Sequence, residues 1–159
     1  MKRLIIAAMA AVALGACGGS GENADAPGVA MVEEDGVRFE NAVFRPPFGG
    51  RDVAAAFVTI SATGEQPVTI LSARSEIAGD MELHTHLMVD GKMAMRRVER
   101  FEIAAGETLE LKTGAEHLML FGVEDEFAAG DQVVITLAYT VGNSAEREVD
   151  VDFTVEALD

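Results

Sequence analysis

The sequence predicts an all-β protein, a small antiparallel β-sandwich or barrel. Three observations carry this. Nine short segments are rich in β-branched residues and alternate in part between apolar and polar positions. Turn signals built on Gly, Asp, Asn or Pro separate them. No stretch of the domain sustains the 3.6-residue period of an amphipathic helix.

In chain order the strands are expected near residues 37–44, 53–62, 67–75, 81–89, 92–103, 107–112, 116–122, 132–141 and 147–156. The turns fall at "TGEQP", "DGK", "AAGE", "KTGAE", "AAGDQ" and "VGNSAE". "ARSEIAGD" has room for one helical turn between two strands. Asp90-Gly91 is the residue pair that a two-residue type I′ hairpin prefers. It would place Val89 opposite Lys92, Met88 opposite Met93, and His86 opposite Met95.

What precedes the domain reads differently. Lys2 and Arg3 lead into "LIIAAMAAVALGA", a short apolar run ending in small residues before Cys17. Such a run is too short to span a bilayer and matches an export signal over residues 1–16. "LGAC" resembles the lipobox of bacterial lipoproteins, which implies lipidation of Cys17 after cleavage and a membrane-anchored protein in the periplasm. Residues 17–35, rich in Gly, Ala, Asn and acids, are expected to form a flexible tether. Its reach is roughly 20–25 Å by random-coil scaling. The folded domain is expected to run from 36 to 159.

Composition excludes several functions. The chain has 12 Lys+Arg against 27 Asp+Glu. Losing Lys2 and Arg3 with the signal leaves 10 against 27, a net charge of −17. A domain this acidic repels nucleic acid and anionic lipid surfaces, so the lipid anchor is the only membrane contact expected. Cys17 is the only cysteine, so a disulfide framework and a thiolate metal site are both excluded.

The informative feature is the soft-donor content of "MELHTHLMVDGKMAM" and "EHLML". All three histidines, and five of the six methionines beyond the signal, fall between residues 81 and 119. Strand periodicity puts Leu83 and Leu87 on one face and His84, His86 and Met88 on the other. It likewise separates Leu118 and Leu120 from His117 and Met119. The leucines are expected to take the core, leaving the histidines and methionines in a shallow surface position. Neutral imidazole and thioether donors without matching carboxylates suit Cu(I) better than Zn²⁺, Ca²⁺ or Mg²⁺. No nucleophile–base pair or paired carboxylates stand near the cluster, so binding and transfer is expected rather than catalysis.

The spacing His84-x10-Met95-x21-His117-x-Met119 resembles the copper-binding pattern of the PCuAC family of periplasmic copper chaperones. Flanking segments such as "AAAFVTISATGEQPVTIL", "KMAMR" and "FEIAAGETLELKTGAEHLMLFG" are similar to that family over roughly residues 37–155. The resemblance implies a cupredoxin-like Greek-key sandwich that holds one Cu(I) through His84, Met95, His117 and Met119. It further implies delivery to a cytochrome c oxidase subunit bearing CuA, or to another copper chaperone. His86, Met88 and Met93 would then be auxiliary donors. The chain departs from the pattern in "MRRV" at 95–98, where members commonly have "MRPV", and in Glu116, where they commonly have an aromatic. Two other roles use the same residues: copper storage or tolerance without delivery, and a lipoprotein interaction domain with a Met/His face.

Overall fold

Alternation in "VAAAFVTISA" shows how the sandwich is built. Ala54, Ala56, Val58, Ile60 and Ala62 are buried, while the residues between them are half-exposed on the other face. The computed structural model describes residues 31–157, and its regular elements are all strands. They are β1 (Val32–Glu34), β2 (Val37–Arg45), β3 (Val53–Ala62), β4 (Val68–Arg74), β5 (Asp80–Val89) and β6 (Lys92–Val98). There follow β7 (Phe101–Ile103), β8 (Thr108–Glu110), β9 (His117–Phe121), β10 (Gln132–Val141) and β11 (Arg147–Val155). The signal (1–16), Cys17 and the tether up to residue 30 lie outside the described residues.

The strands follow the order β6-β5-β9-β3-β2-β11-β10-β4-β7, with β1 added beside β2 and β8 beside β3. Between the layers, Phe39, Phe44, Tyr139 and Phe153 are fully buried together with Ile60, Ile70, Ile135, Leu118 and Leu120. Each such side chain contributes about 1.5–3 kcal/mol on leaving water. Tyr139 meets Phe39 edge-on at 6.0 Å, the arrangement that ring quadrupoles favour.

The expected strands are present, with five differences. First, β1 lies inside the segment expected as tether and pairs Val32 with Phe39 and Glu34 with Val37, so the domain starts earlier than residue 36. Its turn is Asp35-Gly36, both at positive φ, the same dipeptide that forms the 90–91 hairpin.

Second, the strand expected over 92–103 is two. β6 pairs with β5 and β7 pairs with β4, the break at Glu99-Arg100 letting the chain cross from one sheet edge to the other. Third, the strand expected over 107–112 is only three residues long, because β8 pairs with β3 across Thr59, Ile60 and Ser61 alone.

Fourth, "ARSEIAGD" forms a turn rather than a helical one: Ala78 N–H donates to Ser75 C=O, while Gly79 N–H is captured by Phe121 C=O of β9. Fifth, β11 joins β2 in parallel, at Thr154–Val43 and Val155–Phe44, so the sandwich is not wholly antiparallel. The remaining ladders are antiparallel.

The hairpin register agrees with the Asp90-Gly91 turn. Val89 faces Lys92, Met88 faces Met93 and His86 faces Met95. Leu83 enters the core as expected, but Leu87 is 50% exposed. β5 pairs with β9 only as far as His84–His117, so the outer half of the hairpin projects beyond the sheet and has no core to enter.

Candidate metal centre

Four neighbouring strands bring the soft donors onto the outer face of one sheet. In the order β6-β5-β9-β3, His84 stands between Arg97 and His117, and Glu82 stands beside Met119, which is opposite Ala55. His86, one step towards the hairpin tip, pairs with Met95. The inward residues between them, Leu83, Leu118 and Leu120, anchor this face to the core. Strand periodicity therefore separates donors from core as the sequence predicts.

The donors are deeper than expected. His84 and His117 are only 9% and 5% exposed, although they point away from the inter-sheet core. His117 is covered by the "KTGAE" turn, closed by Lys112 and Glu116 at 2.9 Å, and by the Phe57 ring at 6.4 Å, while the Phe121 ring lies 6.3 Å from His84. Arg45 braces this cover. Its guanidinium lies 5.1 Å over Phe57, donates to Thr113 Oγ1 at 3.1 Å, and is neutralised by Glu156 at 3.0 Å. The exposed side is thioether. An open cavity of about 330 Å³ is lined by His86, Met95, His117 and Met119, with Phe57 and Arg45 at its far wall.

Hydrogen bonds settle which ring nitrogens are free. His84 Nε2 lies 2.7 Å from Glu82 Oε2, and a carboxylate can only accept, so Nε2 carries a proton and, in the neutral ring that a ligand requires, Nδ1 holds the lone pair. That Nδ1 is buried and has no hydrogen-bond partner. Orphaned buried acceptors are rare and mark a missing ligand or a strained site.

His117 and His86 each donate Nδ1–H to the Ala115 carbonyl at 3.0 Å, so Nε2 is the nitrogen that holds the lone pair when the ring is neutral. The three rings are close: His84 and His117 are 5.6 Å apart edge-on, and His86 and His117 are 5.3 Å apart. Burial pushes the His117 pKa below its ordinary value. The Ala115 carbonyl opposes this, and neighbouring His84 and His86 reinforce it, so the ring is held neutral as a ligand must be.

The same carboxylate that orients His84 is itself held. Glu82 Oε1 accepts from Arg97 at 2.9 Å, and the bond from His84 keeps the Glu82 carboxyl below its usual range. An imidazole fixed through its second nitrogen by a carboxylate is a recurrent support for metal ligands. Sequence reasoning did not single out Glu82, although it sits two residues before His84 on the same strand face.

The two departures from the family pattern are also placed. Arg97, in "MRRV", reaches Glu82, and Glu116 accepts from Thr85 Oγ1 at 3.1 Å. Met88 and Met93 lie one row beyond the cavity. Among the described residues, no three imidazole, thiolate or carboxylate groups converge to hold a metal, so a complete donor set here needs the thioethers.

Comparison with known proteins agrees with this architecture. Residues 37–152 match the family described as "Putative lipoprotein LpqE-like". The chain is 31% identical over 124 residues to "Putative lipoprotein Lxx21020" of Leifsonia xyli subsp. xyli, covering 77% of this chain and 74% of that one. Among solved structures it is similar to a copper-bound PCuAC domain from PmoF2, with a TM-score of 0.66 at 17% identity over 80% of this chain and 98% of that one. At that identity the likeness shows the fold, a cupredoxin-like sandwich. It is also similar to the Cu(I) form of DR1885 from Deinococcus radiodurans, with a TM-score of 0.59 at 28% identity over 73% and 75% of the two chains. The chain belongs to the LpqE-like family, and its fold is that of PCuAC domains.

Proposed function

We propose that this chain is a Cu(I)-binding metallochaperone, not an enzyme, that holds one Cu(I) through His84, Met95, His117 and Met119. The observation that carries the reading is a cavity lined by Met95, His117 and Met119, with the unpartnered, buried Nδ1 of His84 outside its lining on a ring 5.6 Å from that of His117. Two imidazoles and two thioethers form a neutral, soft donor set that favours the reduced ion. The copper-bound relatives support it, since both carry the same sandwich.

Burial on one side and an open thioether side suit a cargo site. His84 and His117 are shielded from water, while Met95 remains 39% exposed and reachable by an acceptor's ligands. Cu(I) then leaves by ligand exchange, thioethers first, with no change of oxidation state. Accessibility of this kind favours delivery over storage.

The destination follows from the resemblance: a cytochrome c oxidase subunit bearing CuA, or a second copper chaperone that serves it. The family's lipoprotein character supports an anchor on Cys17 and action at a membrane surface in the periplasm.

The test is competition with a Cu(I)-selective chelator under reductant. One tight Cu(I) per chain is expected, with weaker binding of Cu(II). A Cu(II) affinity above that for Cu(I), or no Cu(I) binding below micromolar, overturns the reading and leaves the Met/His face as a protein-docking surface. Slow release, stripped by chelator only as the chain unfolds, would assign storage instead.

A further inference from the structure

We propose that Met88 and Met93 form a second, outer Cu(I) site, a thioether pair at the hairpin tip where copper lands before moving inward. The inference rests on reading the inner cluster as a Cu(I) site, but it is carried by different residues.

The two methionines are direct cross-strand partners in the β5–β6 hairpin. Side chains so paired spring from Cβ atoms about 4.5–5.5 Å apart, close enough for both sulfurs to reach one ion. Both are largely exposed, at 67% and 62%, and the hairpin tip reaches past the end of β9. Core packing therefore does not account for them, although a methionine in a strand usually serves packing.

Their placement relative to the inner cluster is ordered. Strand periodicity puts Met88, His86 and His84 on one face of β5, and Met93, Met95 and Arg97 on the same face of β6. Successive rows lie about 7 Å apart along the strands. From the tip inward the rows read Met88–Met93, His86–Met95, then His84 beside His117. Exposure falls in the same direction, from the tip pair through Met95 to the buried His84.

Charge follows the same division. Lys92 and Arg96 alternate to the opposite face of β6, so the first cation along its donor face is Arg97, paired with Glu82, and Arg45 in the cavity lining is paired with Glu156. An incoming Cu(I) thus meets two neutral thioethers, then a thioether and an imidazole, then imidazoles. Each step exchanges ligands on an unchanged Cu(I) ion, and two-thioether coordination at the exposed end is the weakest of the three.

An apolar docking patch is the competing account of the tip, since Leu87 and Val89 are exposed on the other face. Leucine replacement separates the two, because it keeps the apolar area and removes only sulfur.

The experiment compares the wild-type domain with Met88→Leu/Met93→Leu and with His84→Ala/His117→Ala. It uses methionine methyl-labelled NMR during anaerobic Cu(I) titration, and stopped-flow uptake from a Cu(I)–chelator complex. In the wild type, a second equivalent about 100-fold weaker than the first should shift the Met88 and Met93 methyl signals. In the leucine variant the first equivalent should bind within about two-fold of wild type, the second should vanish, and uptake should slow about ten-fold. In the alanine variant the first, tight equivalent should be lost while the Met88 and Met93 shifts persist, so the inner and outer readings fail separately. Stationary Met88 and Met93 signals through two equivalents, or wild-type uptake and loading in the leucine variant, overturn the proposal.

Discussion

Glu82 Oε2 lies 2.7 Å from His84 Nε2, and the other ring nitrogen of His84 is buried with no partner. The carboxylate thereby fixes both the tautomer and the ring orientation of a candidate ligand. Replacing Glu82 by Ala frees the ring to flip and removes that support. Cu(I) affinity is expected to fall about 10–100-fold, as for other carboxylate partners of metal-bound histidine. Arg97→Ala, which removes only the exposed clamp on Glu82, should cost far less. Chelator competition measures both, and equal losses for the two variants would contradict the orienting role.

The two neighbouring histidines make different claims on the metal. His84 carries the orphaned nitrogen and matches the family spacing, whereas His86 lines the cavity directly opposite Met95. Alanine at His84, Met95, His117 or Met119 is expected to weaken Cu(I) binding at least ten-fold, roughly the loss of one ligand. His86→Ala should cost much less. A damaging His86→Ala with a nearly silent His84→Ala would move the fourth ligand to His86 and make cavity access, rather than spacing, the guide.

Stability of the metal-free domain should depend on pH in the range where histidine titrates. Burial depresses the His117 pKa below its ordinary 6.5. The unfolded chain therefore binds this proton at higher pH than the folded one, and stability rises with pH across the interval. The contribution is fully present above 6.5 and is lost as pH falls through the folded value. Glu82, also depressed, adds a second loss below its ordinary 4.5. Urea midpoints at pH 7.5, 6 and 5 should decline in that order, and His117→Phe should flatten the first step.

The hairpin register depends on Asp90 and Gly91, both at positive φ, with open space around Gly91. The Cβ of alanine at Gly91 would meet no neighbour, so the cost of Gly91→Ala is backbone strain of about 1–2 kcal/mol. Amide exchange in the outer half of β5 and β6 should quicken about 5–30-fold, the equivalent of that energy. Exchange in β10 and β11 should be unaffected, because these strands share no ladder with the hairpin.

Anchoring is tested at Cys17. Cys17→Ala should move the protein from the membrane to the soluble fraction and abolish incorporation of labelled fatty acid, since lipid chains alone would hold it there. Membrane retention by the variant, with no label in the wild type, would rule the lipoprotein anchor out.

Much of this protein was legible in its sequence. Period-two alternation assigned Leu83, Leu118 and Leu120 inward and the histidines with Met88, Met93, Met95 and Met119 outward, because strand geometry leaves successive side chains only two directions. Asp90-Gly91 set the register locally, since few dipeptides tolerate two positive φ values. β1 was missed although Asp35-Gly36 carries the same signal, because three residues of acid-rich sequence look like the tether before them.

Tertiary structure alone decided the rest. The burial of His117 depends on a turn at 112–116 and on Phe57 from β3, and that of His84 on the rings of His117 and Phe121, none of them close in sequence to His84. Leu87 fails to enter the core because β9 begins at His117, a limit set by a partner strand and invisible in the hairpin itself. The chain crosses between β6 and β7 because their partners, β5 and β4, lie near opposite ends of the strand order. Local pattern fixes which way a side chain points; what covers it is a property of distant segments, and only the folded chain brings those together.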